Sequence, residues 1–483
     1  MKKGIVTVVA LLLAVCILST VSLAARQVPK PKQIVAFLDD TMLTPARGQE
    51  QFVDEYKKLT GIDLKIIQPV HNQYYEKLRL AFAAGDIPDV IEIAEHTFVQ
   101  YANEGAFVDL SKYVKQSPTL KKVAKKLDAY KIKGKLYGVI KEAPTGPITY
   151  VRKDWLANLG MKTPTTWAEY YNMLKAFTHN DPDKNGKNDT YGVTAPGPSS
   201  DSPISLAKNY YADFWQSADP NFYKKRGKWI DGFSEKAMKP ALERLRKVYQ
   251  EKLMDPEVFT NKTSTCREKF NSGKAGVFTY WSGLWQVRME TDLQKNLGPS
   301  AKIMPIAAIK GSKYVARVPA MHAVTTKAKN PEGVFKYFID FSHDGGKGQM
   351  LFVHGVENVH WKMEGSKRVQ LPALDNPKLL NTKAYYDSAL NVTPWNDGKD
   401  KIDMDERVNE SNNIFNVNCS YSVLQVFTDS RKKIEEPLNN AKNDVIVKVM
   451  TGAKTVDQAL AEYKKKAAEL KVNQILNDMN AVK

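Results

Sequence analysis

The run "DPDKNGKNDT" (181–190) carries oxygen-bearing side chains at alternate positions around a single glycine. When the run is numbered as a calcium-binding loop, positions one, three, five and nine are filled by Asp181, Asp183, Asn185 and Asp189. Lys187 stands at position seven, where the backbone carbonyl is the ligand, and Gly186 at position six permits the sharp turn. Position twelve is Gly192 instead of the bidentate glutamate of an EF-hand. The run therefore predicts an incomplete calcium loop.

Two interpretations of this loop are open. It is either a metal-free turn, of the kind that Asp, Asn and Gly form readily, or a calcium site. Three neighbouring carboxylates repel one another unless a cation joins them, which favours calcium. Strand-like residues (190–197) follow the run in place of a second helix, so we predict that the calcium is structural and only fixes the loop.

The sequence lacks the motifs of the common catalytic sites. It contains no G-x-S-x-G, no H-E-x-x-H, no glycine-rich phosphate loop and no C-x-x-C. His354 and His360 flank Glu357, but they stand six positions apart and would not share a helical face, which disfavours a zinc site. Paired carboxylates for sugar hydrolysis need only be close in space, so a secreted polysaccharide-cleaving enzyme stays an alternative to a protein without catalytic activity.

The first residues have the pattern of an export signal. Two lysines precede an apolar stretch (5–18), and residues 22–24 offer small side chains at the positions that signal peptidase reads. We predict a signal peptide over 1–24 and export to the periplasm or the exterior. A lipid anchor at Cys16 is disfavoured because Val15 stands where a small residue is required. No later stretch approaches the ~20 apolar residues of a membrane span.

The chain is strongly basic, with 71 Lys and Arg against 53 Asp and Glu and a formal net charge of +18. A field of this sign attracts acidic partners, although dispersed lysines such as those of "VKQSPTLKKVAKKLDAYKIKGK" (114–135) are also typical of a solvated surface. The predicted export argues against nucleic acid and leaves anionic lipids, wall polymers and uronic acid sugars. Cys266 and Cys419 either pair in an oxidising compartment or are two separate thiols.

Short apolar strands alternate with amphipathic helices from residue 33 onwards. Strands are predicted over 33–38, 62–70 and 89–94, and helices over 52–61 and 74–85. This alternation is typical of an α/β domain with a mostly parallel sheet covered on both faces.

Polar residues follow two of these strands. Asp39 and Asp40 come after the first, and Glu95 and His96 come after the third. The carboxyl ends of parallel strands meet at one edge of a sheet, so we expect these side chains around one crevice. The alternative is that they are ordinary loop or capping residues.

The rest of the chain repeats the alternation. Residues 134–160 predict two strands and then a helix that starts near Asp154, and a second alternating region runs to about residue 305. Residues 318–341 predict a return to strand and helix, whereas 365–413 is polar and irregular. A helical tail closes the chain, with one face made of Val456, Ala459, Leu460 and Tyr463.

Several motifs together resemble a known family. They are "GDIPDVIEI" (85–93), "GKLYGV" (134–139), "TYVRKDWLANLGMKTPTTWAEYYNMLKAF" (149–177), "FNSGKAGVFTYWSGLW" (270–285) and "GVENVHW" (355–361). Their order is similar to that of the bacterial extracellular solute-binding proteins of ABC importers, the group that includes the maltose-binding and alginate oligosaccharide-binding proteins.

The resemblance implies a two-lobed α/β periplasmic-binding-protein fold with a ligand cleft between the lobes and crossover hinge strands. It places the N-terminal lobe at 33–150 and 306–355 and the C-terminal lobe at 151–305 and 356–483. It also implies that the chain is a monomer and not an enzyme. Such a protein captures an oligosaccharide and delivers it to the transmembrane subunits of an ABC importer.

The resemblance also suggests site residues. Trp285 falls on the family's glycine-x-tryptophan position, where the ring stacks on sugar, and Trp281 and Trp395 are further candidate platforms; simple core packing is the alternative. Arg152 is a candidate cleft cation for uronic acids, or else a structural partner of a nearby acid. At position ten of the loop, where relatives often carry an acid, Thr190 offers at most a hydroxyl or a carbonyl.

Overall fold

The computed structural model describes residues 28–39, 43–70, 73–197, 209–374, 376–380 and 405–482. The predicted signal peptide, Asp40 and Trp395 lie outside these ranges. In chain order the strands are β1 Gln33–Phe37, β2 Asp63–Ile67, β3 Val90–Ile93, β4 Val139–Ile140, β5 Pro147–Arg152, β6 Tyr191–Thr194, β7 Phe222–Lys225, β8 Lys228–Asp231, β9 Ala275–Trp281, β10 Ile303–Pro305, β11 Tyr314–Ala316, β12 Met321–Val324, β13 Trp361–Glu364, β14 Lys367–Gln370, β15 Pro372–Ala373, β16 Asn376–Leu380 and β17 Cys419–Tyr421.

The α-helices lie between these strands and at the C-terminal end. They are α1 Gln49–Thr60, α2 Tyr74–Ala84, α3 Glu95–Asn103, α4 Ser111–Gln116, α5 Ala124–Leu127, α6 Lys153–Asn158, α7 Trp167–His179, α8 Ala212–Trp215, α9 Met238–Gln250, α10 Thr263–Asn271, α11 Leu284–Leu297, α12 Pro331–Val334, α13 Lys347–His354, α14 Glu406–Asn418, α15 Asp429–Lys432, α16 Glu435–Thr451, α17 Val456–Glu469 and α18 Val472–Ala481. A π-helical stretch, Phe335–Asp340, continues α12.

The first sheet has five strands in the order β2-β1-β3-β12-β4. Strand β1 is parallel to β2 and β3, whereas β12 runs antiparallel between β3 and β4. Strand β3 is buried at all four residues, as expected for a strand with helices on both faces. Helix α2 ends at Gly85, whose φ of 81° gives the left-handed cap that stops a helix. The strand and helix alternation predicted for this region is confirmed.

The second sheet has four strands in the order β10-β5-β9-β6. Strand β5 is antiparallel to β9 and β10, and β9 is parallel to β6. Helices α6 and α7 cover the sheet through Trp155 and Phe177, whose rings meet edge to face with 5.3 Å between centroids. Trp155 belongs to the core of this sheet, because its side chain is fully buried.

Each sheet has its own hydrophobic core. The first core draws on residues between 34 and 140 and between 318 and 352. The second draws on residues between 148 and 316 and, from the C-terminal helices, between 415 and 479. The predicted two-lobed α/β fold is therefore confirmed, with each lobe assembled from separate parts of the chain.

In the described part of the chain, three segments lie side by side between the lobes. The first passage (141–146) joins β4 to β5, and the second (306–320) joins β10 to β12 and contains β11. The third passage contains β17, which pairs in parallel with β11. Beyond β17, Phe427 packs against the first core and Val426 against the second. These passages are the predicted crossover hinge.

A glycine allows the first two passages to approach closely. A Cβ atom on Gly146 would lie 2.1 Å from the Val315 carbonyl oxygen, which is far inside van der Waals contact. One residue away, the Arg317 N–H donates to the Thr145 carbonyl at 2.9 Å. The backbones of the two passages are therefore bonded directly to each other.

The structure bears on where the lobes begin and end. The predicted boundary between residues 150 and 151 falls inside β5, which belongs to the second sheet from Pro147 onwards. After the predicted boundary at 355, Val356 packs against the first core, and His360 Nε2 donates to the Arg47 carbonyl at 2.8 Å. These contacts favour a first boundary at 141–146 and place residues 356–361 with the first lobe; the lobe ranges as a whole stay predictions.

The C-terminal tail is helical, as predicted, and consists of two helices, α17 and α18, which are separated by Lys471 with its left-handed backbone and φ of 56°. One local expectation is wrong. Residues 365–413 are not irregular throughout, since the described part holds β14, β15, β16 and the start of α14. The predicted inner face of the tail is confirmed: Val456, Ala459 and Tyr463 are buried and Leu460 is partly buried.

Both cysteines are free thiols, with Cys266 buried and Cys419 partly exposed. This decides between the two alternatives that the sequence leaves open. No helix in the described ranges is long and apolar enough to cross a membrane.

Candidate functional site

Aromatic side chains collect where β9 ends, next to the passages between the lobes. Trp281, the last residue of β9, pairs with Pro147, the first residue of β5 after the first passage. Trp285 lies in the first turn of α11 and meets Tyr280 edge to face, with 4.8 Å between ring centroids. Both indoles pack against the second core on one side and are partly exposed on the other. We call these two residues the aromatic wall.

Guanidinium groups surround the aromatic wall. Arg267 lies 5.1 Å from the Trp285 ring centroid and donates to the Tyr280 hydroxyl at 2.9 Å. Arg288 lies 5.1 Å from the same indole, and Arg317 lies 5.3 Å from the Trp281 ring. Such cation–π geometry holds a charge at the face of a ring, so the wall is both flat and cationic.

Arg317 stands at the junction of the two lobes. It comes from the second passage, between β11 and β12. Burial raises the pKa of Tyr75 in the first lobe to about 12, and Arg317 is among the groups that oppose this rise. Burial also raises the pKa of Tyr210 in the second lobe, and the charge of Arg317 again opposes the rise. The field of one guanidinium therefore acts on both walls of the cleft.

The first lobe contributes the carboxyl edge of its sheet. The Asp39 carbonyl at the end of β1 accepts from Gln68 Nε2 at 2.9 Å, and the Gln68 side chain also accepts from Gln49 at 2.7 Å. At the end of β3, the Ala94 N–H donates to the Tyr75 hydroxyl at 3.0 Å. The ends of β1, β2 and β3 thus meet at one edge, and the placement of the predicted polar side chains around it stays a prediction.

A buried ion pair lies beneath this edge. Lys141 Nζ is 2.5 Å from Glu92 Oε1, and both side chains are less than 10% exposed. Burial alone would lower the pKa of Lys141, but the Glu92 and Glu142 carboxylates hold it above its ordinary value. Burial raises the pKa of Glu142, with Lys141 and Arg317 opposing the rise. Because Lys141 opens the first passage, this pair anchors the passage to the first sheet.

Arg152 lies away from the aromatic wall. It is the last residue of β5, at the opposite end of the second sheet from Trp281. It is 2% exposed, and its Nε and Nη2 atoms donate to the Asp154 carboxylate at 2.8 and 2.6 Å. Its guanidinium also stacks 4.5 Å from the Trp155 ring. The structure therefore favours a structural partner of an acid, the alternative that the sequence leaves open, over a cleft cation.

The remaining predicted contacts are described only in part. Helix α3 begins at Glu95, directly after β3, but the side chains of Glu95 and His96 are not among those described. Sequence analysis missed the three arginines of the wall. Arg288 follows Trp285 by three residues on a helix, a spacing that places them as neighbours and could have identified it; Arg267 and Arg317 reach the wall from remote elements and leave no local signal.

The predicted calcium loop is a compact hydrogen-bonded turn. The Asp181 carboxylate accepts from the N–H groups of Asn185 and Gly186, both at 3.0 Å. The Asn185 side-chain amide donates to Asp183 at 3.0 Å and to Asp189 at 3.3 Å. Gly186 has a φ of 78°, the left-handed turn that the sequence predicts at this position. All three carboxylates therefore converge on Asn185.

The acids of this loop are unevenly compensated. Asp183 Oδ1 is buried and has no hydrogen-bond partner among the described residues. Burial, together with Asp181 and Asp189, raises the pKa of Asp183. Asp189 differs, because Lys274 Nζ bonds to it at 2.9 Å and lowers its pKa.

Two other loop residues are placed by the turn. The Lys187 N–H donates to Asn185 Oδ1 at 2.8 Å. The Thr190 hydroxyl is buried and donates to the Phe177 carbonyl at 2.7 Å, which leaves only its own carbonyl as the ligand predicted at position ten. In the described part of the chain, no three His, Cys, Asp or Glu side chains are grouped as metal ligands, because the loop carboxylates are turned towards the Asn185 and Gly186 N–H groups.

The loop lies far from the aromatic wall. It precedes β6, whose first residue, Tyr191, pairs with Ala275 at the start of β9. Trp281 stands at the other end of β9. At about 3.3 Å per strand residue, the second sheet separates the loop from the wall by most of its length.

The chain is similar in sequence to proteins of one family. A profile of the bacterial extracellular solute-binding proteins matches residues 44–341, which is more than half of the chain. Lipoprotein LipO of Bacillus subtilis is 31% identical over 228 residues, or 46% of this chain and 44% of the relative. The polygalacturonan/rhamnogalacturonan-binding protein YtcQ of the same organism is 29% identical over 235 residues, or 48% and 46%. The chain spans about half the length of the curated relatives it matches.

Solved structures resemble the whole fold. The alginate-binding protein AlgQ2 without calcium ion gives a TM-score of 0.68 at 21% identity, covering 95% of this chain and 99% of the other. The substrate-binding protein FusA of S. pneumoniae with kestose gives 0.67 at 19% identity, covering 93% and 98%. An EF-hand mutant of FusA with fructo-nystose gives 0.66 at 18% identity, covering 93% and 98%. At these identities the similarity shows a shared fold.

Proposed function

Because the chain belongs to the bacterial extracellular solute-binding proteins, we propose that it captures an acidic oligosaccharide between its lobes and delivers it to the membrane subunits of an ABC importer. The observation that carries this proposal is the aromatic wall with its three arginines. We also propose that the protein is exported, that it acts as a monomer, and that the three passages are the hinge on which the lobes close.

The aromatic wall suits a sugar ring. Sugars present flat patches of C–H groups edged with hydroxyls, and an indole offers a large, rigid surface to such a patch at low cost in conformational entropy. Trp281 and Trp285 are held in place by the second core yet remain partly exposed. A ring bound there would face Gln68 and Tyr75 at the edge of the first lobe, which offer hydrogen bonds.

The arginines favour a ligand with carboxylates. A guanidinium matches a carboxylate with two parallel hydrogen bonds, and Arg317 forms no ion pair with any residue that the structure describes. Two relatives are named for alginate and for polygalacturonan, both of which are polymers of uronic acids. The net charge of +18 adds a field that attracts such chains.

Calorimetry with matched sugars tests the proposal. We expect trigalacturonate to bind, and a neutral trisaccharide of the same size to bind more weakly. Arg317→Gln and Arg267→Gln should weaken trigalacturonate binding and make it less sensitive to salt, since screening acts on charge pairs. Trp285→Ala should weaken both sugars by roughly tenfold or more, as expected for a central aromatic contact.

The exposed Arg79→Gln on α2 is the matched control, because it removes the same charge away from the wall. It should leave affinity unchanged. Tight binding of neutral sugars alone would contradict an acidic ligand. Loss of the folded state in Trp285→Ala would show that Trp285 is a core residue and not a ligand contact. If no oligosaccharide in a broad panel raised the melting temperature, capture itself would be wrong, since a ligand at a hundred times its Kd adds about 2.7 kcal/mol of stability.

A polysaccharide-cleaving enzyme is the alternative. The family and the similar structures are substrate-binding proteins and not enzymes. Prolonged incubation with polygalacturonate, followed by an assay for new reducing ends, tests for cleavage directly. A steady release of reducing ends that disappears on heating the protein would support the enzyme.

We also propose that the 181–190 loop binds calcium in a structural role. Support comes from the convergence of three carboxylates on Asn185 and from the buried, unbonded Asp183 Oδ1. Asp181, Asp183, Asn185 and Asp189 would hold the ion, with the carbonyls of Lys187 and Thr190. Binding would require the carboxylates to exchange their present N–H partners for the cation, which would remove their mutual repulsion.

Thermal melting with and without a chelator tests this role. Chelation should lower the melting temperature of the natural protein, and Asp183→Ala should lower it and abolish the effect of the chelator. Sugar affinity should stay nearly unchanged, because the loop lies at the far end of β6 and β9. A chelator that altered sugar affinity without altering melting would place the ion in the binding site instead.

A further inference from the structure

The first lobe carries a dense group of lysines outside the cleft. Between residues 111 and 135 there are nine lysines and one acid, Asp128. All nine are exposed. We call them the lysine face: Lys112, Lys115, Lys121, Lys122, Lys125, Lys126, Lys131, Lys133 and Lys135.

The lysine face is poorly neutralised by the protein itself. Within it, Lys131 pairs with Asp128 at 2.6 Å. Several of its members form no ion pair with any residue that the structure describes: Lys112, Lys115, Lys121, Lys122 and Lys125. Lysines of the second lobe are more often compensated, as in Lys239 with Asp457 at 2.7 Å and Lys274 with Asp189 at 2.9 Å.

The arrangement of these lysines works against folding. Lys121 and Lys125 stand four positions apart in consecutive helical turns, a spacing at which like charges destabilise a helix. The neighbouring apolar residues, Leu120 and Val123, are buried. The apolar side therefore holds the segment in place, and the charges gain nothing from the fold. An external anion is what would offset their repulsion.

The lysine face adjoins the point where the described chain begins. Tyr113 of the segment packs against Phe335, with 5.4 Å between ring centroids. Two residues further along the same helical stretch, Tyr337 lies 5.7 Å from the Lys30 ammonium. The Pro29 carbonyl also accepts from Asn330 Nδ2 at 2.7 Å, just before α12. The segment that carries the lysine face and the start of the described chain therefore contact the same helical stretch of the first lobe.

We propose that the lysine face adsorbs the first lobe onto an anionic lipid surface. Clusters of four to eight basic residues bind such surfaces, with about a fivefold gain in affinity for each lysine near the headgroups. A sugar polymer fits this face less well, because Tyr130 is buried and Tyr113 packs on Phe335, so neither offers a stacking platform. No large apolar side chain of the segment is among the exposed ones of the described chain. Adsorption is therefore electrostatic, without insertion.

Vesicle cosedimentation tests the proposal with the full chain. Vesicles containing phosphatidylglycerol should bind the protein at low salt, and pure phosphatidylcholine vesicles should bind much less. Replacing Lys115, Lys121, Lys122 and Lys125 together by Gln should weaken binding to anionic vesicles more than tenfold, whereas the fourfold Arg variant should retain it. Binding should fall steeply with added salt. The leader sequence is common to all variants, so it cancels in the comparison.

The matched control replaces four exposed lysines of the second lobe by Gln: Lys228, Lys236, Lys464 and Lys465. It changes the net charge equally and should leave vesicle binding almost intact. Equal losses of vesicle binding in both Gln variants would show a general effect of net charge and would contradict a specific role of the lysine face. Equal binding to neutral vesicles would also overturn the proposal. The proposal would also be overturned if the lysine face bound soluble polygalacturonate and this binding prevented the protein from binding vesicles.

Discussion

Single buried charges set much of the local chemistry of this protein. Arg152 pairs with Asp154, stacks on Trp155 and belongs to the second lobe's interior. Lys141 is satisfied by Glu92 and fastens the first passage. Asp213 is the least compensated of these groups, because its carboxylate accepts from the Thr149 hydroxyl at 2.7 Å yet has no cation beside it in the described structure. Each role depends on which partner the fold supplies.

Asp213→Asn should raise the melting temperature at pH 8 and not at pH 4. Burial raises the pKa of Asp213 to about 6, with the Thr149 hydroxyl and the Ile309 backbone opposing the rise. A pKa raised in the folded state means that stability is fully present below the unfolded value of about 3.9 and is lost as the pH rises through about 6. At pH 8 the Asn variant avoids this loss in the free energy of unfolding, which is on the order of 2–3 kcal/mol.

Melting of both proteins across pH 4 to 8 measures this effect. The exposed Asp54→Asn on α1 is the control, and it should show no comparable gain at pH 8. If Asp213→Asn shifted the melting temperature equally at both ends of the range, burial of the charge would not be the cause.

At the scale of elements, the three passages tolerate little change where they lie against one another. They lie against one another through backbone contacts, with β11 and β17 in register and Ser422 N–H donating to the Ala316 carbonyl at 2.9 Å. A change of side-chain rotamer cannot relieve a close contact between backbone atoms. The helices that cover each lobe have more freedom, because their packing uses side chains that can change rotamer.

Gly146→Ala should destabilise the protein by about 1–3 kcal/mol, the usual cost of overpacking. The new methyl group would lie 2.1 Å from the Val315 carbonyl oxygen, a backbone atom that can move only if the passages separate. Chemical denaturation measures the loss. Gly346→Ala is the control, because its nearest contact would be an ordinary 3.5 Å. A loss of the same size in both variants would show that the passages are not under this constraint.

At the scale of the whole molecule, the described residues show few contacts that hold the two lobes together outside the passages. Lys432 Nζ bonds to Glu104 across the lobes at 3.0 Å, with 31% and 46% of the side chains exposed. An exposed pair of this kind is worth at most about 1 kcal/mol. A ligand that contacts both walls can therefore outweigh it and shift the population of lobe arrangements.

Small-angle scattering should show a smaller radius of gyration with a bound acidic oligosaccharide than without it. A ligand that bridges the aromatic wall and the edge of the first sheet, as proposed, favours the closed arrangement through its binding energy. Trp285→Ala at the same sugar concentration is the control and should show less closure. A radius that stays constant while calorimetry reports saturation would contradict hinge closure.

The amino-acid sequence by itself determined the local features of this protein. Alternating apolar patterns predicted the strands and helices of the first lobe, because burial periodicity is a property of neighbouring residues. The left-handed turn at Gly186 and the positions of Trp281 and Trp285 at the end of a strand follow from the same short-range logic. The order of the family motifs predicted the two-lobed fold, which the sheets and their two cores confirm.

Only the tertiary structure decided the features that depend on distant partners. Arg267 and Arg317 reach the aromatic wall from α10 and from the second passage, and no local spacing encodes that meeting; Arg288 alone has a local signal, three residues after Trp285. Arg152 was predicted as a cleft cation or a structural partner, and the alternatives differ only in which acid lies nearby. The break at Lys471 is a single backbone rotation inside a continuous helical pattern. For Arg267 and Arg317 the deciding contacts join residues far apart in the chain. Arg152 is decided by its burial beside Asp154 and Trp155, and the helix break by the backbone of Lys471 itself. Composition and periodicity record none of these.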